Sequence, residues 1–147
     1  MSPGTETNST MATQADVRRI ALSLPATEQV AGRFAFGVRN KGKLKDFVWV
    51  WMERVAPKKP RVPEPRVIAV RTATIEDREL MIARDPAKFF TEPHYEGFPA
   101  VLVRLPEVTA RELEPIIREG WRCQASRDLK ATEMPAPRRT VAPKRRS

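Results

Sequence analysis

Regular spacing of apolar positions begins just after residue 12. Thr13-Gln14-Ala15-Asp16 has the spacing of a helix N-cap with an acid at the third helical position. Val17, Ile20, Ala21 and Leu24 follow at i, i+3, i+4 and i+7, one stripe of an amphipathic helix that Pro25 stops. The period then changes from helical to alternating. Phe34, Phe36 and Val38 alternate with Ala35, Gly37 and Arg39, Asn40-Lys41-Gly42-Lys43 reads as a turn, and Phe47 to Met52 reads as a second strand. An antiparallel hairpin results, its tip carrying Arg39, Lys41, Lys43 and Lys45. Strict alternation puts Phe47, Trp49 and Trp51 on one face and Val48, Val50 and Met52 on the other, so this strand is expected to be buried on both sides.

Pro57, Pro60, Pro63 and Pro65 interleave with Lys58, Lys59 and Arg61. So dense a run of prolines forms neither a helix nor a central strand, and it predicts a stiff, exposed, basic loop. Val67 to Val70 resumes as a strand. Thr74-Ile75-Glu76-Asp77 repeats the capping spacing and opens a helix through about Ala83, with Leu80 as its expected anchor. Asp85-Pro86 closes it. Phe89 and Phe90 precede the turn-rich segment Thr91 to Gly97, and Pro99 to Leu105 reads as a strand with Val101, Val103 and Leu105 on one face. Thr109-Ala110-Arg111-Glu112 is a third capping spacing. Leu113, Ile116, Ile117, Gly120 and Trp121 mark the last helix, with Pro115 tolerable only near its first turn.

Roughly two to three helices and about five hairpin-connected strands make an α+β fold, an antiparallel sheet with the helices packed on it. Residues 1–12 read as a disordered polar leader, 13–128 as a single domain, and 129–147 as a disordered basic tail rich in Pro, Lys and Arg.

Composition narrows the class. In 147 residues the net charge is +9 and the hydrophobic fraction 41%, enough for a packed core. One cysteine excludes an intramolecular disulfide framework and a Cys-rich zinc site, and suits a reducing, cytoplasmic setting. No apolar run approaches the ~20 residues that span a bilayer, and the first residues have neither a basic nor an apolar signal region. The charge is unevenly placed. Residues 1–65 carry 11 basic and 6 acidic side chains, residues 66–125 carry 9 and 10, and residues 126–147 carry 7 and 2. The basicity therefore belongs to the hairpin and loop of Arg33 to Arg61 and to the tail, around a neutral body.

The inventory for catalysis is poor. His94 is the sole histidine, and no serine sits in a nucleophile motif. A triad would need Cys123 or Ser23 to meet His94 in space. Glu92, His94 and Glu96 alternate, so an extended chain would point carboxylate, imidazole and carboxylate one way, a donor set that suits zinc or manganese. A tight turn before a strand explains the same residues. The glycines never cluster into a phosphate-cradling loop, so no cofactor is expected. Cys123 reads as a small boundary residue. What rises above background is basic residues interleaved with aromatics: Lys41, Lys43 and Lys45 beside Phe36, Phe47 and Trp49. A basic hairpin tip can follow a phosphate backbone, and an aromatic sheet face can stack unpaired bases, although strand alternation alone also explains the aromatics.

Taken together, several segments resemble the MmcQ/YjbR-like family, over about Thr13 to Ala125. They are the helix end Ala21-Leu22-Ser23-Leu24-Pro25 with Glu28 after it, the strand Phe34-Ala35-Phe36-Gly37-Val38 leading to the basic turn, the run from Phe89 through His94-Tyr95-Glu96-Gly97-Phe98-Pro99 to Leu105, and the helix end Glu119-Gly120-Trp121-Arg122. The resemblance implies a fold similar to CyaY, described as a double wing, and DNA binding, a label that rests on fold analogy. It brings no catalytic residues. The Pro-rich stretch from Val55 to Pro65 is longer than the compact turn that the family pattern implies.

The expectation is a non-enzymatic protein that binds duplex DNA. Arg39, Lys41, Lys43 and Lys45 would contact phosphates from the hairpin, Lys58, Lys59 and Arg61 from the loop, and Arg138, Arg139, Lys144, Arg145 and Arg146 from the tail. Two alternatives stand beside it: a module that binds a protein or small ligand through the sheet face or the His94 turn, and a metal-dependent enzyme around Glu92, His94 and Glu96.

Overall fold

The protein is described by a computed structural model covering residues 11–53 and 57–132. In chain order these form helix α1 (Gln14–Leu22), strands β1 (Thr27–Gln29), β2 (Ala35–Asn40), β3 (Lys43–Glu53) and β4 (Val62–Arg71), helix α2 (Ile75–Arg84), strand β5 (Phe89–Phe90), a one-turn 3-10 segment (Pro93–Tyr95), strand β6 (Ala100–Arg104), a second such turn (Leu105–Glu107), and helices α3 (Ala110–Gln124) and α4 (Arg127–Ala131).

The three capping spacings each open a helix. Thr13 and Asp16, and Thr109 and Glu112, bond reciprocally as capping boxes, so two orphan N–H groups are satisfied at each start. Thr74 accepts from the Asp77 backbone N–H in the same way. Val17, Ile20, Ala21 and Leu24 are all buried, as are Leu113, Ile117, Gly120 and Trp121. Pro115 lies beyond the first turn of α3, deeper than the sequence reading allowed. It is exposed, and the helix continues because its other face is seated in the core.

The six strands form one antiparallel sheet in the order β1-β2-β3-β4-β6-β5. α1 and α3 cover one face, where Val17, Phe36, Phe47, Val48, Ile68, Val70, Val101, Val103, Leu113, Ile117 and Trp121 make the main core. Trp121 Nε1 donates to the Pro25 carbonyl at 2.9 Å, tying α3 to the end of α1. The opposite face is smaller: Val67, Ala69 and Leu102 are buried beneath Trp49, Trp51, Phe90 and Tyr95.

Several expectations change. Phe47 does not share a face with Trp49 and Trp51. The register passes from Gly37↔Asp46 to Phe36↔Val48, leaving Phe47 as the extra residue of a β-bulge. Phe47 and Val48 both face the helices, and the alternation resumes with the tryptophans on the far side. The short edge strand β1 was not predicted. β4 starts at Val62, so Pro63 and Pro65 lie within it. They are tolerated because β6 pairs only with Val67 to Arg71, leaving the proline end bonded on one side alone. Leu80 is 60% exposed and anchors nothing. The fully buried side chain of α2 is instead Arg78, with Met81 and Ile82 partly buried against the core. α4 crosses the expected 128/129 boundary, and Leu129 packs against the core. Residues 1–10 and 133–147, which hold most of the expected leader and tail, lie outside the described residues, whereas Ala12, expected in the leader, is buried in the core and its N–H donates to the Val108 carbonyl at 2.8 Å.

Gly120 is where α3 comes down on the sheet. A Cβ there would sit 2.8 Å from Val70 Cγ1 and 3.1 Å from the Phe47 carbonyl oxygen. Gly120→Ala is therefore expected to destabilise by about 1–3 kcal/mol despite alanine's better helix propensity. Urea denaturation checks this: the midpoint falls while the m-value stays unchanged.

Candidate nucleic-acid interface

The hairpin tip is a two-residue turn. Asn40 pairs with Lys43, and Lys41 and Gly42 between them both take the left-handed conformation, with φ of 56° and 84°. Asn40 Nδ2 donates to the Gln124 carbonyl at 2.8 Å, and Gln124 Nε2 donates to the Asp46 carbonyl at 2.9 Å. These bonds pin the tip against the end of α3. A cleft of about 440 Å³ opens there, lined by Asn40, Lys41, Lys45, Ser126, Arg127 and the one carboxylate Asp128. Among the described residues Lys41, Lys43, Lys45 and Arg127 make no ion pair. Arg127, near the end of the expected domain, was not among the predicted contacts. Its signal is Ser126, which caps α4.

Among the described residues, the other predicted contacts do not join this patch. Arg39 is held by Glu28 through two hydrogen bonds of 2.9 and 3.1 Å, which push the Glu28 carboxyl down and the guanidinium up from their ordinary values. Arg61 donates to the Met52 carbonyl at 2.8 Å and lies 3.7 Å from Glu92. Lys58 and Lys59 are exposed in the loop at the opposite end of β3, about 30 Å from the tip along an extended strand. Arg138, Arg139, Lys144, Arg145 and Arg146 lie outside the described residues.

The aromatic face is organised by an arginine that sequence reading passed over. Arg78 is 3% exposed, and its guanidinium donates to the carbonyls of Tyr95, Phe98 and Glu96 at 2.7, 3.0 and 3.2 Å. Its place in α2 offered no polar signal beyond being one more charged position. This grip coils Pro93–Tyr95, so Glu92, His94 and Glu96 do not line up on one face. Glu92 turns towards Arg61 while His94 and Glu96 are exposed. No group of three His, Cys, Asp or Glu side chains among the described residues is placed to hold a metal ion. Cys123 is half-buried, and burial raises its thiol, which works against thiolate chemistry.

Across this face Trp49, Ala69, Leu102 and Phe90 stand in one cross-strand row. The small Ala69 leaves room for Tyr95, whose hydroxyl accepts from Trp49 Nε1 at 3.1 Å. Phe98 lies 6.2 Å from both the Trp49 and Tyr95 rings. Trp51 meets Phe90 edge-on at 5.6 Å, and Arg104 stacks on the Phe90 ring at 4.1 Å.

These features define a single-sheet α+β protein with one basic corner and one aromatic face. No family model matches the chain. It is 34% identical over 125 residues to the uncharacterized protein Rv2570 of Mycobacterium tuberculosis and to the uncharacterized protein Mb2600 of Mycobacterium bovis, the match covering 81% of this chain and 93% of each relative. The chain belongs to the family of these mycobacterial proteins. The crystal structure of Deinococcus radiodurans protein DR2400, a DUF419 domain, is similar with a TM-score of 0.57 at 18% identity, covering 76% of this chain and 77% of that one. That likeness shows a shared fold.

Two outcomes are expected. Arg78→Met strands three carbonyls and should cost about 2–4 kcal/mol, with Arg78→Lys recovering only part because an ammonium lacks the fork. Chemical denaturation of both variants checks this. Tyr95 is the sole tyrosine, and burial, the largest influence on it, raises its hydroxyl above the ordinary value of 10.0. The folded protein thus holds this proton more tightly than the unfolded chain. The stabilisation is complete below pH ~10 and is lost as pH rises through the raised value. Ultraviolet absorbance titration should show one phenolate appearing late. Trp49→Phe should delay it further, because the indole N–H favours the phenolate.

Proposed function

We propose that this is a non-enzymatic nucleic-acid-binding protein of the MmcQ/YjbR-like type, engaging the phosphate backbone of duplex DNA from its hairpin corner. The observation that carries the reading is the pattern of ion pairing. Arg19, Arg33, Arg39, Arg66, Lys88 and Arg118 are each neutralised by a neighbouring carboxylate. Among the described residues Lys41, Lys43, Lys45 and Arg127 make no ion pair, as is also true of Arg18, Lys58, Arg71, Arg84, Arg104, Arg111 and Lys130, and Lys41, Lys45 and Arg127 line one cleft where the hairpin meets α4. Unpaired cations on a rigid turn are the cheapest to bring to phosphates, because no existing salt bridge has to break. Lys58 and Lys59 of the loop add positive charge outside this corner, and Arg138, Arg139, Lys144, Arg145 and Arg146 add to the net charge available to a phosphate partner. Arg39 and Arg61 contribute less, since each already has acceptors.

Fluorescence anisotropy with labelled duplex tests this over a salt series. With roughly six to eight phosphates engaged, log K should fall with log salt at about −0.9 per contact. Charge reversal of Lys41, Lys43 and Lys45 to Glu should weaken binding on the order of 100-fold or more and flatten the slope by about 3. A partner bound through the aromatic face would survive that reversal. Salt-independent binding, or none at low salt, would sink the proposal. A chain ending after Thr132 separates the folded corner from the tail: retained binding assigns the affinity to the corner.

A further inference from the structure

The aromatic face carries polar groups that the core does not explain. Four buried side-chain atoms among the described residues have no hydrogen-bond partner: Trp51 Nε1, Arg71 Nε, Thr91 Oγ1 and Glu92 Oε2. All belong to residues on this face or at its margin. Arg71 follows Ala69 by two positions on β4, and its guanidinium carbon lies 4.9 Å from the centre of the Phe98 ring. The neighbouring arginines are satisfied: Arg61 by Met52 and Glu92, Arg66 by Glu64, and Arg104 by the Pro86 and Ala87 carbonyls. Arg71 has neither a carboxylate nor a carbonyl. Asp77 and Glu119 border the same end of β4, yet neither is within ion-pairing distance of it.

A half-buried guanidinium whose Nε is shut off from water without gaining an acceptor is a group left incomplete. Its planar fork matches a carboxylate or phosphate, and stacking on Phe98 holds it ready. Beside it, Phe98 is 38% exposed and forms a continuous ring cluster with Tyr95 and Trp49, while His94 stands exposed against Tyr95 at 5.4 Å. A ligand with an oxyanion and a flat ring fits this combination of guanidinium and ring cluster.

We infer that the Arg71–Phe98 corner of the aromatic face binds an unpaired nucleotide, Arg71 taking its phosphate and the Phe98, Tyr95 and Trp49 rings stacking its base. The assignment rests on the nucleic-acid reading above and adds a second site to it. The hairpin corner takes duplex backbone, whereas this face takes a single-stranded unit. Base stacking on aromatic side chains is typically removed by alanine at a loss of roughly 10- to 100-fold per base.

The test uses the full chain, with oligothymidylate, a matching abasic strand and thymidine monophosphate as probes. Tryptophan emission is the readout. Trp49 and Trp51 are half-buried on this face while Trp121 is fully buried on the other, so quenching reports this site. The strand should quench, and the abasic strand should bind at least tenfold more weakly. Arg71→Met and Phe98→Ala should each weaken strand binding about tenfold or more, Arg71→Lys less, with duplex affinity unchanged. Thermal melts confirm that each variant is folded. Equal affinity for the abasic strand, or wild-type affinity in both Arg71→Met and Phe98→Ala, overturns the inference. So does a mononucleotide that binds more tightly than the strand. The two sites fail separately. Quenching that survives the triple lysine reversal, with no duplex binding by the wild type, removes the hairpin reading alone. Salt-dependent duplex binding without any quenching removes this one alone.

Discussion

The bulge at Phe47 sets the phase of the central strand, and much of the molecule depends on that phase. With one extra residue in β3, Phe47 and Val48 both enter the helix-covered core, and Trp49 and Trp51 emerge on the other side. The same insertion places the Phe47 carbonyl 3.1 Å from where a Gly120 Cβ would stand, so α3 can settle low on the sheet only at a glycine. Without the bulge, Trp49 would be under the helices. The Tyr95 hydroxyl would then have no indole donor, and the aromatic face would lose its centre.

Charge follows a similar logic of placement over number. A net charge of +9 suggests a uniformly basic surface, but folding consumes many of the cations. Arg39 is bound by Glu28, Arg33 by Asp46, and Lys88 by Asp85 and Glu112. Arg78 is withdrawn entirely to hold the Tyr95–Phe98 turn. What remains at the hairpin tip is a short row of lysines and Arg127 on a rigid turn. The basic loop sits at the far end of β3, so the two do not form one footprint.

Helices and hairpin were largely legible in the chain. Capping pairs such as Thr13 and Asp16 act over three residues, and the apolar stripes of α1 and α3 repeat over one or two turns, so their signals are complete within a short window. The errors have a shared cause. Leu80 reads as the anchor of its helix, yet α2 is held through Arg78, whose acceptors lie 17 to 20 residues away. Pro63 and Pro65 looked incompatible with a strand, yet that end of β4 has a neighbour on one side only, which no local pattern announces.

By itself the sequence determined the α+β class, the three capped helices, the β2–β3 hairpin with its lysine-bearing tip, and the two basic blocks around a neutral body. Each follows from interactions between residues near one another in the chain. The tertiary structure decided which face each tryptophan occupies, which cations stay unpaired, and that Arg71 stands beside Phe98 without an acceptor. Those outcomes depend on strand register and on contacts such as Arg39 with Glu28 or Trp49 with Tyr95, 11 and 46 residues apart. They come into being only when the sheet closes.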